Sequence, residues 1–369
     1  MSAPPATRVR LSDPAELIAA VPHLLGFHPR DSLVVITLQG RRLGLTLRTD
    51  LVAEGSEEQL AEQLLVPIAR QRPSGAIVLI VGGRQTEATD LPHRPVVDAL
   101  DDALAAADIP VVHAAWAAST SPGAAWRCYD EAGCAGTVAD PDRCAIAAAS
   151  VAAGVVTFDT REQLAELLAP DVPTVLARRA RMLDADDAQH PLDTATVRER
   201  RALLGRLHAD AAAGALCLDD RTVVEAASAL CDHRIRDACL GWSAGDGAAA
   251  AEQLWLALVR ATPAPQRSEP ATLLGLAAYL RGDGALAGMA LQAALDAHPD
   301  HCLAGLLRAA LDGGLEPATL HSIAADAAVD ARSGLGAAGD GGLGDRGHSD
   351  TGRLTPSGGR NPRHRRRSR

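Results

Sequence analysis

The stretch that decides the fold of this chain spans residues 14–38 and reads PAELIAAVPHLLGFHPRDSLVVITL. Asp13, with a proline directly after it, has the pattern of a helix N-cap followed by proline in the first turn. Pro22 and Gly26 predict the end of that helix. The run LVVITL at residues 33–38 is continuous, apolar and β-branched, which predicts a strand buried on both faces. We therefore expect a helix, a tight turn and a central strand.

The segments after this stretch alternate between strand and helix patterns as far as residue 172. Strands are predicted at residues 43–51, 76–81 and 109–116, and helices at 56–70, 95–107, 144–153 and 161–168. Residues 119–143 read as an irregular insertion. The turn at residues 39–41 makes the first two strands antiparallel, whereas the later strand–helix–strand order implies parallel pairing. Residues 8–172 are therefore expected to form an α/β domain, a mixed sheet flanked by helices.

Beyond residue 172 the pattern is wholly helical. Helices are predicted at residues 174–183, 194–213, 219–239, 247–261, 270–281, 284–297, 300–312 and 316–330. The spacing of a tetratricopeptide repeat is followed by Ala271, Leu274, Gly275, Ala278, Ala287, Leu291 and Pro299. A stacked array needs about three such units. Residues 173–331 are therefore expected to form an all-α helical domain that contains one tetratricopeptide-like hairpin.

The C-terminal segment, residues 332–369, is rich in Gly, Ser, Asp and Arg and ends in RNPRHRRRSR. This composition predicts a disordered Arg-rich tail. The interpretation that we favour is a solvated extension that has no partner. The alternative is contact with nucleic acid or another acidic surface, for which this tail is the one candidate segment because its arginines could bind phosphates.

Lysine is absent from the chain, in which all 36 Lys and Arg residues are arginine. This excludes P-loop nucleotide hydrolases, protein kinases and pyridoxal phosphate enzymes, because each needs a lysine amine at its reacting group. The His-Glu-x-x-His pair of many zinc proteases is also missing. The sequence identifies neither a cofactor nor a catalytic residue.

The seven cysteines are scattered and form no Cys-x-x-Cys pair. An odd number of cysteines in a long chain predicts free thiols. Cys128, Cys134 and Cys144 have a spacing that could hold a metal ion, but packing as small apolar residues is the alternative. The first residues lack the apolar segment of a secretory signal, and the apolar residues 144–158 are fewer than the ~20 that a membrane helix requires. We expect a cytoplasmic protein that has no membrane partner.

Two segments carry a resemblance to a known family. LSDPAELIAAVPHLLGFHPRDSLVVI, followed by LRTDL at residues 47–51, resembles the opening of an actinobacterial family known as domain of unknown function 4192. The resemblance continues at Trp126 and at LLGLAAYLRGDGALAGMALQAALDAHPDHCLAGLL, so it covers nearly all of residues 8–320. Such proteins often carry adjacent cysteines and a proline after the Trp. This chain has only Cys128 and Cys134 there, which weighs against a metal or redox site. The resemblance implies the architecture and no reaction, substrate or cofactor.

Polar residues around the predicted helix–strand turn and on the next strand form the candidate ligand-binding set: His28, Arg30, Asp31, Ser32, Arg48 and Asp50. The imidazole titrates near neutral pH, and a guanidinium group can hold a carboxylate or phosphate through two hydrogen bonds. The carboxylate and hydroxyl at the start of the strand suit ligand binding or proton transfer. Arg48 and Asp50 are two residues apart on a strand, so their side chains share a face.

The same residues also allow a purely structural interpretation. Phe27 would fill the core, Asp31 and Ser32 would satisfy backbone amides of the turn, and Arg48 and Asp50 would form an ion pair. Two further clusters have oxygen or nitrogen donors at ligand-like spacing: Asp184, Asp186, Asp187 and His190, and then His298 and His301. The first lacks the glycine and terminal glutamate of a calcium loop. Helix capping and solubility explain the first cluster, and the second lies at a helix end where Pro299 stops the helix, so we predict no metal site.

Two functions remain open. The first is a ligand- or partner-binding protein whose helical domain contacts an unknown protein. The second is an enzyme that acts on a small anionic or phosphorylated substrate at the His28, Arg30 and Asp31 junction. A cavity on which these side chains converge would favour the second, and a filled junction beside an exposed apolar helical groove would favour the first.

Overall fold

The computed structural model describes residues 13–83, 91–131, 133–152, 156–187 and 194–337. The strands are β1 (Ser32–Gln39), β2 (Arg42–Asp50), β3 (Gly75–Val81), β4 (Val111–Ala117), β5 (Ala125–Cys128) and β6 (Ala135–Thr137). The helices that accompany the sheet are α1 (Pro14–Leu25), α2 (Glu57–Arg70), α3 (Arg94–Ala106), α4 (Ala145–Ala152) and α5 (Arg161–Glu166). The helices that follow are α6 (Pro173–Asp187), α7 (Thr194–Ala212), α8 (Asp220–Leu230), α9 (His233–Leu240), α10 (Ala248–Ala261), α11 (Ser268–Arg281), α12 (Gly284–Ala297), α13 (Cys302–Asp312) and α14 (Pro317–Ala337).

The six strands form one mixed sheet in the order β2-β1-β3-β4-β5-β6. The pairing of β3 with β4 is parallel, and the other neighbouring strands are antiparallel. β1 and β3 lie inside the sheet and are buried along almost their whole length. Their continuous apolar runs are what two covered faces require. The predicted fold class, a mixed sheet flanked by helices and then an all-helical part, is confirmed.

The two faces of the sheet pack against different helices. On one face, residues of β1 and β3 such as Val35 and Val78 form a core with Ile68 of α2 and Leu100 of α3. On the other face, residues such as Val34 pack in a second core with α1. This second core extends into the later helices as far as α14. The helical part therefore covers apolar surface of the sheet part directly.

Several predicted boundaries are corrected. Pro22 lies inside α1, which continues to Leu25 and ends at Gly26 with φ 78°. The missing proline N–H removes one helical hydrogen bond, which the buried apolar face of α1 offsets. The segment 119–143, predicted as irregular, contains β5 and β6. The predicted helix 219–239 is divided between α8 and α9, because the Asp232 side chain caps the second helix by accepting from the Arg234 amide.

The prediction that every cysteine is a free thiol is wrong for one pair, since Cys128 and Cys134 form a disulfide. Antiparallel pairing of β5 and β6 brings the two residues together, and the spacing of six residues gave no sign of it. At the C-terminus, α14 extends through residues 332–337, and the rest of the predicted tail lies outside the described residues. Among the described helices, none is both long and apolar enough to cross a bilayer.

Helices α11 and α12 pack against each other, in agreement with the repeat-like spacing. Gly275 of α11 is buried at this contact, where a Cβ atom would lie 2.7 Å from Cγ of Leu291 on α12. The glycine therefore allows the two helix backbones to approach closely. Gly305 of α13, in contrast, has space for a side chain, because no atom lies within 4 Å of the position that its Cβ would occupy.

The change of glycine to alanine should have opposite effects on stability at these two helical positions. Gly305→Ala should raise the free energy of unfolding by about 0.5–1 kcal/mol, because alanine is the better helix former. Gly275→Ala should lower it by roughly 1–3 kcal/mol, because the added methyl overpacks against Leu291. Urea denaturation followed by circular dichroism measures both. Equal effects of the two variants would mean that α11 and α12 are not in close contact.

Candidate functional site

The strand pairing gathers three turns at one edge of the sheet. Ser32 at the start of β1 is paired with Asp50 at the end of β2 and with Val81 at the end of β3. The parallel β4 places Ala117 beside Val81. The loops that leave β3 and β4 therefore meet the turn that enters β1. In open α/β sheets this edge, outside the carboxyl ends of the parallel strands, is the usual place for ligands.

Asp31 holds the turn before β1 in place. Its backbone is in the left-handed region, with φ 42°, which aspartate tolerates better than most residues. Its Oδ1 accepts a hydrogen bond from the Gly83 amide at 2.8 Å, and its carbonyl accepts one from Leu51 at 3.1 Å. Gly82 is needed here, because its φ is +80° and a Cβ would lie 2.7 Å from Asp31 Oδ1. Asp31 therefore satisfies a backbone amide, which is the structural role expected of it from the sequence.

Ser32 and Arg48 form a short polar chain from the turn to β2. The buried Ser32 hydroxyl donates to the Arg30 carbonyl at 2.6 Å and accepts from Nε of Arg48 at 2.9 Å. Nη2 of Arg48 lies 2.6 Å from Oδ1 of Asp50, as the shared strand face predicted. The Arg48 guanidinium also stands over the Phe27 ring, 5.9 Å from its centre. These contacts fix the Arg48 guanidinium in one place.

A cavity of about 370 Å³, which we call the edge cavity, opens at this end of the sheet. Five of the six predicted site residues line it: His28, Arg30, Asp31, Arg48 and Asp50. Ser32 is not part of the lining and acts beneath it, through its bond to Arg48. The structure therefore brings the whole predicted set together around one space of metabolite size.

The lining has five further residues, Phe27, Leu51, Thr160, Arg161 and Glu162, and the last three come from a segment that no sequence pattern placed here. The last three arrive because the chain around Phe158 runs beside the turn after α1. Phe158 donates its amide to the Gly26 carbonyl at 2.9 Å and accepts from the His28 amide at 3.0 Å. Two hydrogen bonds between segments this far apart in sequence leave no local signal, which is why Arg161 was missed.

The His28 ring is anchored by a residue from the β4 loop. Its Nδ1 lies 2.9 Å from Oγ1 of Thr120, which is almost fully buried. Burial lowers the pKa of His28, and the nearby Asp159 carboxylate opposes this shift. The ring is therefore mainly neutral at neutral pH, and it presents a hydrogen-bonding group to the edge cavity without a full charge.

The charges around the edge cavity are not equally satisfied. Asp31 and Asp50 already accept a backbone amide and a guanidinium group, respectively. Hydrogen bonds to its own backbone amide and to Thr160 lower the pKa of Glu162. Within the described ranges, the guanidinium groups of Arg30 and Arg161 form neither a hydrogen bond nor an ion pair within 4 Å, although the charges of both also help to lower the pKa of Glu162. Two guanidinium groups therefore face the space with all their N–H donors available.

The other predicted clusters are not gathered into sites. Asp186 pairs with Arg200 at 2.9 Å, while His190 lies outside the described residues. His301 caps α13 by accepting from the Ala304 amide, and its Nε2 is 3.2 Å from Glu269. No group of three or more metal-ligating side chains occurs in the part of the chain that the structure describes.

One motif of known chemistry lies in the helical part, and the expectation that the chain has no Gly-x-Ser-x-Gly segment is wrong. GWSAG at residues 241–245 has the Gly-x-Ser-x-Gly spacing of a serine-hydrolase elbow. It forms a 3-10 turn between α9 and α10, with no strand before it. Ser243 is buried, and the imidazoles of His208 and His321 lie against the backbone carbonyls of Gly247 and Ala244. The strand–turn–helix geometry that exposes a nucleophile is therefore missing.

Comparison with known proteins gives one match. The family described as "Domain of unknown function (DUF4192)" matches residues 14–318. No curated protein and no solved structure matches the chain. The match includes every residue that lines the edge cavity.

Titration of His28 followed by NMR should give a pKa below the ordinary 6.5, because the ring is partly buried. Between the folded and unfolded values the unfolded chain binds more protons, so acidification through about pH 6.5 should reduce the stability of the fold. Asp159→Asn should lower this pKa further, because it removes a carboxylate that favours the charged ring. A midpoint at or above 6.5 would contradict the burial of this ring.

Proposed function

The chain belongs to the DUF4192 family, whose description names no activity, and we propose from the geometry of the edge cavity that it binds a small anionic ligand there. The ligand class is a phosphate monoester or a carboxylate of metabolite size. The observation that carries the proposal is the pair Arg30 and Arg161. Both guanidinium groups line the space, and within the described residues neither forms a hydrogen bond or a close ion pair, so their N–H groups remain available to a ligand.

An anion suits this lining better than a cation or a neutral ligand. Arginine binds carboxylates and phosphates through parallel N–H···O bonds, and its charge persists at every accessible pH. The carboxylates of Asp31 and Asp50 already bind a backbone amide and Arg48, and the third carboxylate of the lining, Glu162, accepts a hydrogen bond from Thr160. Leu51 is the partly exposed apolar residue of the lining.

Catalysis is the second candidate, and one observation favours it. The His28 ring lines the edge cavity, and within the described ranges only its Nδ1 has a hydrogen-bond partner. A neutral imidazole that is held by Thr120 and offers Nε2 to a ligand has the properties of a general base. This proposal assigns no leaving group or nucleophile, so ligand binding stands first.

The remaining parts of the proposal come from the sequence. We place the protein in the cytoplasm and assign the helical part to contact with an unknown protein. Nucleic acid would be bound only through the Arg-rich tail.

Removal of either the Arg30 or the Arg161 charge should weaken anion binding. Thermal-shift and calorimetric titrations with inorganic phosphate, phosphate monoesters and dicarboxylates identify a binder. For that binder Arg30→Gln and Arg161→Gln should each weaken affinity at least about tenfold, the value of one hydrogen bond to a charged group. Arg260→Gln is the matched control, because this exposed arginine of α10 does not line the edge cavity.

Equal affinity in all three variants, or no binding by any anion tested, would refute the proposal. His28→Gln separates the two candidates. If the protein only binds, this variant should retain most of the affinity. If the protein is an enzyme, the same variant should still bind but lose conversion of the ligand.

A further inference from the structure

The disulfide between Cys128 and Cys134 joins the last residue of β5 to the segment just before β6. The two Cα atoms are 5.5 Å apart. The backbone already joins the same two residues, since the Cys128 amide donates to the Cys134 carbonyl at 2.9 Å. The covalent bond closes a loop of six residues, and short loops gain less stability from a cross-link than long ones. The backbone hydrogen bond joins the two residues independently of the disulfide.

His113 lies directly beside this disulfide. Cys128 is next to Ala115 of β4 across the β4–β5 pair, and His113 is two residues before Ala115, so it shares its face of the sheet. Nε2 of His113 is 3.5 Å from Sγ of Cys128. The contact between His113 and Cys128 could not be predicted from the sequence, because it depends on pairing between β4 and β5. An imidazole N–H at this distance can donate a hydrogen bond to a thiolate.

The two sulfur atoms differ in access. Cys128 is 9% exposed, whereas Cys134 is half-buried, and its neighbours Gly133 and Ala135 are exposed. β6 is the last strand of the sheet in the part of the chain that the structure describes, and Cys134 directly precedes it. A thiol from solution therefore reaches the sulfur of Cys134 more easily than that of Cys128.

We propose that Cys128 and Cys134 are a redox-active pair that exchanges with low-molecular-weight thiols, with His113 stabilising the Cys128 sulfur as the leaving thiolate. Cys217 and Cys302 are exposed and remain free thiols, whereas the bonded pair has a histidine beside it. Burial lowers the pKa of His113, while Asp130 and Glu131 oppose this shift, which keeps the ring mainly neutral.

The exchange has two steps. A thiolate of the reductant attacks Sγ of Cys134, the bond between the two cysteines breaks, and Cys128 leaves as a thiolate with the electron pair. A second thiolate then attacks the reductant sulfur of the mixed disulfide and releases Cys134. The protein gains two electrons and two protons. The two reductant thiols lose the same number and leave as their own disulfide.

This site is separate from the edge cavity. The edge cavity lies beyond the carboxyl end of β4, where Thr120 anchors His28. His113 is near the other end of the same strand, and none of the three residues of the redox site lines the cavity. Failure of one proposal therefore leaves the other standing.

Glutathione exchange with the native full-length chain tests the proposal. Differential alkylation and peptide mass spectrometry report the state of each cysteine. We expect glutathione to reduce the pair while circular dichroism shows the protein still folded. Cys128→Ser should accumulate a mixed disulfide on Cys134, and Cys134→Ser should form at least about tenfold less on the buried Cys128.

The rate at which glutathione reduces the disulfide tests the role of His113. His113→Leu should slow reduction of the native pair roughly tenfold, the value of one hydrogen bond to a charged group, and His113→Gln should restore part of the rate because it keeps a donor. A pair that reacts only after unfolding is a structural disulfide and would overturn the proposal. Equal reduction rates in wild type and His113→Leu would overturn the part assigned to His113.

Discussion

The pairing of β1 with both β2 and β3 is the constraint on which the rest of the structure depends. β1 is buried on both faces, so its register decides which side chains face which core. A shift of one residue would exchange the two faces and is therefore strongly excluded. The same register sets Ser32 beside Asp50 and Val81, and thereby brings the turn at Asp31 to the loops that follow β3 and β4. The edge cavity is a consequence of how the core is packed.

Much of this could be predicted from the sequence, because buried strands and capped helices leave local signals. The runs LVVITL and AIVLIV correspond to β1 and β3, and the Asp13 side chain caps α1 as predicted. What could not be predicted depends on contacts between distant segments. β5 and β6 are short and lack β-branched runs, since β5 reads AWRC and β6 reads AGT. The pairing of β5 with β4, and of β6 with β5, holds them in place.

The candidate site shows the same division. Sequence alone grouped His28 and Arg30 at the turn and placed Arg48 and Asp50 on one strand face. It did not find Arg161, because only the pairing of Phe158 with the turn after α1 brings that residue near. It also did not find His113 beside Cys128, for which the register of β4 and β5 is needed. The structural and ligand-binding interpretations now apply to different side chains. Asp31, Ser32 and Arg48 form internal contacts that hold the turn and β2 together. Arg30 and Arg161 are the residues that we propose bind the ligand.

The central claim, that Arg30 and Arg161 bind an anion in the edge cavity, is tested most directly by NMR of the arginine side-chain Nε–H groups during titration with a phosphate monoester. The account predicts that the signals of Arg30 and Arg161 shift together and saturate at one ligand per chain, while the signal of Arg260 does not move. Shifts of equal size at all exposed arginines, or none at Arg30 and Arg161 when the ligand binds, would contradict it.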